Sequence, residues 1–180
     1  SDVESMKVSL TGLSHHTAPV EVRERVAIQE PELCDALEGL KRASGAEETL
    51  ILSTCNRVEL TAALPEGADA GTIARFLADK RGLSAEWLEP YLYKYEDEKA
   101  IRHLFRVAAS LDSMVLGEPQ VLGQLKAAYA AAREKGTLGG FLDTVLSRAF
   151  AVAKRVRSET DIGRSARSEE RRVGKECRSR

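Results

Sequence analysis

Residues 53–57, Ser-Thr-Cys-Asn-Arg, set a lone cysteine between hydrogen-bonding side chains and a guanidinium, directly after an apolar run. A free thiol titrates near ~8.5, and a neighbouring cation or converging donors lower that by roughly one to several units, which is how a nucleophilic thiolate is made. In this stretch Arg57 is the cation, and Thr54 and Asn56 are the donors. A buried turn residue is the competing reading of Cys55, but a connection between adjacent strands lies at the surface, where a thiol is accessible. Arg57 taken alone also reads as a solvated charge at a strand end.

Other residue types around the chain could serve such a nucleophile. His103 falls between apolar positions of a helical pattern, about 100° per residue along from Ile101 and away from a stripe of Ile101, Leu104, Phe105 and Ala108. It is either a solvent-exposed histidine or a proton donor or acceptor facing the thiol across a cleft. Ser113, Glu118, Pro119, Gln120 and Gln124 gather at one helix start, where Pro119 suits the first turn. Capping accounts for part of that set, yet Gln120 and Gln124, one turn apart on one face, also suit a small polar ligand. His15 and His16 are adjacent, lack partners at metal-ligand spacing, and read as loop polar groups or the wall of a pocket, so no metal site is expected.

The elements that must position these residues follow from periodicity. Residues 6–13 alternate as a first strand ending at Gly12 and the Ser14-His15-His16-Thr17 turn. Leu33, Ala36, Leu37 and Leu40 are spaced as a helix closing near Ser44-Gly45, with Cys34 beside the stripe and read as packing. Residues 49–52 and 58–64 are two strands joined through the cysteine segment, and Pro65 ends the second. Ile73, Phe76, Leu77 and Lys80 before Gly82 form another helix, and residues 91–95 alternate as a fourth strand. The fold class expected is α+β: a ferredoxin-like βαββαβ sandwich over residues 1–96. A helical part follows over residues 97–166, with stripes along Ile101 to Ala108, Val121 to Ala132 and Leu142 to Val156, the last a long C-terminal helix. These helices either cover the open face of the sheet or lead away from it. Residues 167–180 are charged, nearly without apolar side chains, and expected to stay outside the packed part.

With 180 residues, 43% hydrophobic and 31% charged, the chain is long enough to bury a real core. Residues 154–180 hold ten Lys/Arg against five Asp/Glu, a surplus of five positive charges on a chain whose total is -1, so a polyanion approaches that end first. Cys34, Cys55 and Cys177 match neither a disulfide framework nor a zinc site, which suggests a reducing, cytoplasmic setting. No stretch reaches the ~20 apolar residues of a membrane span. No Gly-x-Gly-x-x-Gly is present, and Gly136, Gly139 and Gly140 read as turn residues, so no cofactor is expected to bind this chain.

Four segments in order carry a family resemblance over about residues 7–166. They are Gly12-Leu-Ser-His-His-Thr-Ala-Pro-Val-Glu-Val-Arg-Glu, Ser53-Thr-Cys-Asn-Arg-Val-Glu, the run from His103 through Gly117-Glu-Pro-Gln to Gln124, and Thr160-Asp-Ile-Gly. The chain resembles the N-terminal catalytic domain of glutamyl-tRNA reductases. The resemblance implies that Cys55 is the nucleophile that takes glutamate from glutamyl-tRNA as a thioester, and that His103 acts near the thiol. It also implies that Thr54, Asn56, Arg57, Ser113, Glu118, Pro119, Gln120 and Gln124 line the glutamate pocket. In that family hydride from NADPH reduces the thioester to glutamate-1-semialdehyde for tetrapyrrole (porphyrin) biosynthesis. Its members continue into a dinucleotide-binding domain and a segment that makes homodimers, neither of which residues 167–180 match. Two alternatives stay open: a non-catalytic module that binds tRNA or a regulator, and a piece able only to acylate and hydrolyse.

Overall fold

The computed structural model describes residues 6–110 and 120–162. Ser113, Glu118 and Pro119, and the tail of residues 167–180, lie outside the described residues. Four strands, β1 (Met6–Ser14), β2 (Glu48–Ser53), β3 (Arg57–Pro65) and β4 (Tyr93–Glu96), form one sheet in the order β2-β3-β1-β4 with every neighbouring pair antiparallel. The helices are α1 (Val20–Val26), α2 (Leu33–Ser44), α3 (Gly71–Lys80), α4 (Ala85–Leu88), α5 (Glu98–Ala108), α6 (Val121–Lys135) and α7 (Gly140–Ile162).

The sheet is covered on both sides, and this explains why β1 and β3 are buried almost throughout instead of alternating. On one face Thr49, Leu60 and Ala62 lie under α2, where the Thr49 hydroxyl donates to the Leu37 carbonyl at 3.1 Å. On the other face Glu59 reaches His103 of α5. Helix α5 thus lies on the second face, with α6 packed against β2 and α2 and α7 packed against α5, and residues from Val8 to Ala153 belong to one continuous core. The outer edge of β2 is closed by the α6–α7 connection, where the Thr49 amide donates to the Thr137 carbonyl at 2.8 Å and the Thr137 hydroxyl to the Thr49 carbonyl at 3.0 Å. Buried Glu48 on the same strand caps α7, accepting from the amides of Gly139 (2.7 Å) and Leu142 (2.9 Å).

Three expectations change. Helix α1 and the turn Glu30–Glu32 occupy the stretch between β1 and α2 that the periodicity passed over. The fourth strand is Tyr93–Glu96, because Pro90 opens a 3-10 turn, Glu89–Tyr91, just before it. Cys34 is exposed and off the α2 stripe, whose buried positions are Ala36, Leu37, Leu40 and Ser44. Among the described residues no helix is long and apolar enough to cross a membrane.

Candidate functional site

Cys55 and Asn56 are the tip of the β2–β3 hairpin. Tight two-residue hairpins usually need positive φ, which neither residue has. The Thr54 side chain replaces that device: its hydroxyl accepts from the amides of Asn56 and Arg57, each at 3.1 Å, while the Thr54 amide donates to the Arg57 carbonyl at 2.8 Å. The tip is tied to the first loop by the His15 amide, which donates to the Asn56 carbonyl at 2.9 Å. Cys55 is exposed at this fixed tip. Its sulfur is disulfide-bonded in this structure, against the expectation of free thiols, so thiol chemistry here belongs to the reduced protein.

The cation beside Cys55 is not the expected one alone. Arg23 of α1 donates from Nε to the Cys55 carbonyl at 3.2 Å and from Nη1 to the Ala18 carbonyl at 2.6 Å. Nothing in the local sequence links position 23 to position 55; only the packing of α1 through Val22 and Val26 brings it there.

Arg57 is the largest fully buried side chain, 1% exposed, and not a solvated strand-end charge. Its Nη1 donates to Glu59 Oε2 at 2.9 Å. The same oxygen accepts from the Tyr93 hydroxyl at 2.5 Å and bonds His103 Nε2 at 2.6 Å. Burial alone would raise the Glu59 pKa, but the His103 hydrogen bond, the charges of His103 and Arg57 and the Tyr93 hydroxyl outweigh it and hold the carboxyl down to about 2. An ionised carboxylate only accepts, so His103 Nε2 carries the proton, and Nδ1 is the ring nitrogen left for other chemistry. Glu59 Oε1 is buried with no hydrogen-bond partner among the described residues.

This places His103 differently from either expectation. It is 6% exposed on the inner face of α5 with Ala100, Leu104, Val107 and Ala108, a face turned by about one residue from the apolar stripe. The polar ring is tolerated there because Glu59 meets it and the rings of Tyr93 and Tyr95 flank it at 5.4 and 4.9 Å between centroids. Its contacts run to the tyrosines and to Glu59, and through Glu59 to Arg57, two positions along the chain from Cys55.

The register shows how one carboxylate spans the sheet. Glu59 on β3, Gly12 on β1 and Tyr93 on β4 are partners in one row. Two strand spacings, ~9.6 Å, separate the outer residues, and Glu59 crosses them over a position without a side chain. A Cβ at Gly12 would lie 2.6 Å from the Val58 carbonyl oxygen and 2.8 Å from Glu59 Cγ. Gly12→Ala is therefore expected to cost about 1–3 kcal/mol or more, read from urea unfolding. A variant as stable as the parent would mean that the strands admit the methyl group without disturbing Glu59.

Gln120 and Gln124 come together, but in a separate cavity of about 690 Å³ between β2, α2 and α6, with Ser53, Cys34, Glu30 and Ala128 also in its wall. Ser53 links the two regions, since its hydroxyl accepts from the Ile28 amide at 2.9 Å one residue from the hairpin tip. The structure thus joins Arg57, Glu59, Tyr93 and His103 in one network, holds Thr54, Cys55 and Asn56 at the tip beside Arg23, and sets the two glutamines behind β2. Glu59, Tyr93 and Arg23 are the members that sequence reasoning missed.

Comparison with known proteins gives one consistent answer. A family model described as "Glutamyl-tRNAGlu reductase, N-terminal domain" matches residues 11–160. The chain is 56% identical over 162 residues to the glutamyl-tRNA reductase of Solibacter usitatus, covering 89% of this chain and 38% of that protein. It is 54% identical over 163 residues to that of Pelobacter propionicus, covering 89% and 37%. The solved structure of glutamyl-tRNA reductase from Methanopyrus kandleri is similar with a TM-score of 0.65 at 32% identity, over 84% of this chain and 34% of that one. The chain spans little more than a third of the length of these relatives.

Proposed function

Because this chain belongs to the family of N-terminal domains of glutamyl-tRNA(Glu) reductase, we propose that its hairpin tip performs the acyl-transfer step. The Cys55 thiolate attacks the carbonyl carbon of the ester joining glutamate to tRNA. A carbon–sulfur bond forms, the carbon–oxygen bond breaks, and the ribose oxygen leaves with a proton as the free hydroxyl, so the glutamyl group rests on the protein as a thioester. The observation that carries this reading is the exposed Cys55 on a tip fixed by Thr54 and bordered by a guanidinium.

Thr54 and Asn56 border the nucleophile, and Arg57 serves the glutamyl group. Gln120 and Gln124, with Ser113, Glu118 and Pro119, complete the pocket on this reading. His103 acts as a proton donor or acceptor through Nδ1. On this reading residues 1–96 are a ferredoxin-like catalytic subdomain and residues 97–166 the helical part of the same domain. The parent enzyme is a cytoplasmic homodimer.

In the parent enzyme NADPH supplies the hydride that turns the thioester into glutamate-1-semialdehyde. The residues of this chain do not fit that cofactor. It has no Gly-x-Gly-x-x-Gly, and Gly45 and Gly136 cap helix C-termini with positive φ and form no phosphate-facing N-terminus. No hydride step is assigned to these residues.

The test mixes the reduced protein with glutamyl-tRNA, quenches in acid, and reads intact mass and peptide map. One glutamyl group on the Cys55 peptide is expected. Binding of the tRNA with no adduct would instead make the domain a non-catalytic module.

A further inference from the structure

Resting on Cys55 as the acyl acceptor, we infer that Arg23 is the cation that receives an oxyanion of the incoming substrate beside the nucleophile. Its guanidinium is oriented by two backbone carbonyls, those of Cys55 at 3.2 Å and Ala18 at 2.6 Å. Carbonyls fix direction without cancelling charge. Arg57, Arg75, Arg81 and Arg102, by contrast, each bond a carboxylate, of Glu59, Asp69, Glu32 and Glu98 respectively. Arg23 forms no ion pair among the described residues, keeps Nη2 without a hydrogen bond there, and is only partly buried. A planar fork already held at two of its N–H groups loses little further freedom on meeting an oxyanion, which favours binding.

Arg57 stands differently, ion-paired with Glu59 and 1% exposed on the inner side of the hairpin. Arg23, which stands on α1 outside the motif that carries the cysteine, is therefore a second cation of the site, placed at the tip. Two oxyanions reach Cys55 with the proposed substrate: the phosphodiester before the terminal nucleotide and the carboxylate of the glutamyl side chain. Both present oxygens that a guanidinium binds in the same way.

The experiment measures Cys55 acylation in the reduced protein, with Arg23→Gln and Arg23→Lys beside the parent. Two acyl donors are used: glutamyl-tRNA and the α-thiobenzyl ester of glutamate, which has no phosphate. Arg23→Gln is expected to slow acylation by glutamyl-tRNA at least tenfold at an unchanged unfolding midpoint, and Arg23→Lys to restore much of it. An equal loss with the small ester assigns the contact to the carboxylate; no loss with it assigns the contact to the phosphodiester. Rates equal to the parent with both donors overturn the inference. If the parent itself takes no acyl group, the Cys55 reading fails, and Arg23 is then decided by equilibrium binding of glutamyl-tRNA to Cys55→Ser with and without Arg23→Gln. Equal affinities there overturn the inference as well.

Discussion

Glu59→Gln is expected to destabilise the protein by about 3–5 kcal/mol, the usual cost of removing one partner from a buried ion pair. The carboxylate is 2% exposed and its Oε2 is shared by Arg57, Tyr93 and His103, so a neutral amide withdraws the negative charge that all three buried groups meet. For a chain of this size that is a fall of roughly 10 °C in melting temperature, measured by urea and thermal unfolding together. A loss under about 1 kcal/mol would mean that Arg57 finds water in the folded state. The same variant predicts a change in acid behaviour. The folded pKa of Glu59, about 2, lies below its ordinary value of 4.5. Its contribution is therefore present above pH 4.5 and lost as the pH falls toward 2. Glu32, lowered to about 2 chiefly by its hydrogen bond from Arg81, titrates in the same window and remains in the variant. The parent should thus lose stability more steeply between those limits than Glu59→Gln does, and parallel curves would contradict the assignment of charge to Glu59.

How far the sequence discloses this site depends on the range of the contacts. Helix α2 was legible because its stripe and Gly45, at φ 74, are local signals. The β2–β3 hairpin was legible because Pro65 and the apolar runs bracket it. Helix α1 was not, since Val20, Val22 and Val26 fit neither a clean 3.6 nor a clean 2 period, and Val20 is in fact exposed. The polar residues of β3 look solvent-facing in alternation with Val58 and Leu60. They are buried because α5 covers that face, which no pattern within the strand can reveal. His103 misled the choice of helix face for the same reason: its partner Glu59 is 44 positions away in sequence. Arg23 is invisible from position 55 until α1 is docked. Local rules thus give the nucleophile and its hairpin, whereas the charges around it are a property of the packing.

Cys55→Ser should abolish acyl transfer while leaving the fold intact, the largest functional effect expected of any single substitution here. Against the reduced protein, in which the Cys55 disulfide is open, the thiol and hydroxyl are close in size and exposed at a tip held by Thr54, so stability should move by no more than about 0.5 kcal/mol. Reactivity differs because a thiol ionises near ~8.5 whereas a serine hydroxyl needs an adjacent general base to become a nucleophile. His103 keeps Nε2 on Glu59 across the sheet, and a proton relay through its Nδ1 does not give a serine the thiol's own acidity. Acylation by glutamyl-tRNA is expected to fall by about a thousandfold or more, followed by mass spectrometry under reductant. Cys34 supplies the internal control, because it is a free and exposed thiol on α2 without the hairpin's surroundings. Cys34→Ser should therefore acylate at the parent's rate. An adduct that survives in Cys55→Ser and disappears in Cys34→Ser would move the chemistry to the cavity behind β2, and the hairpin tip would then be a structural turn.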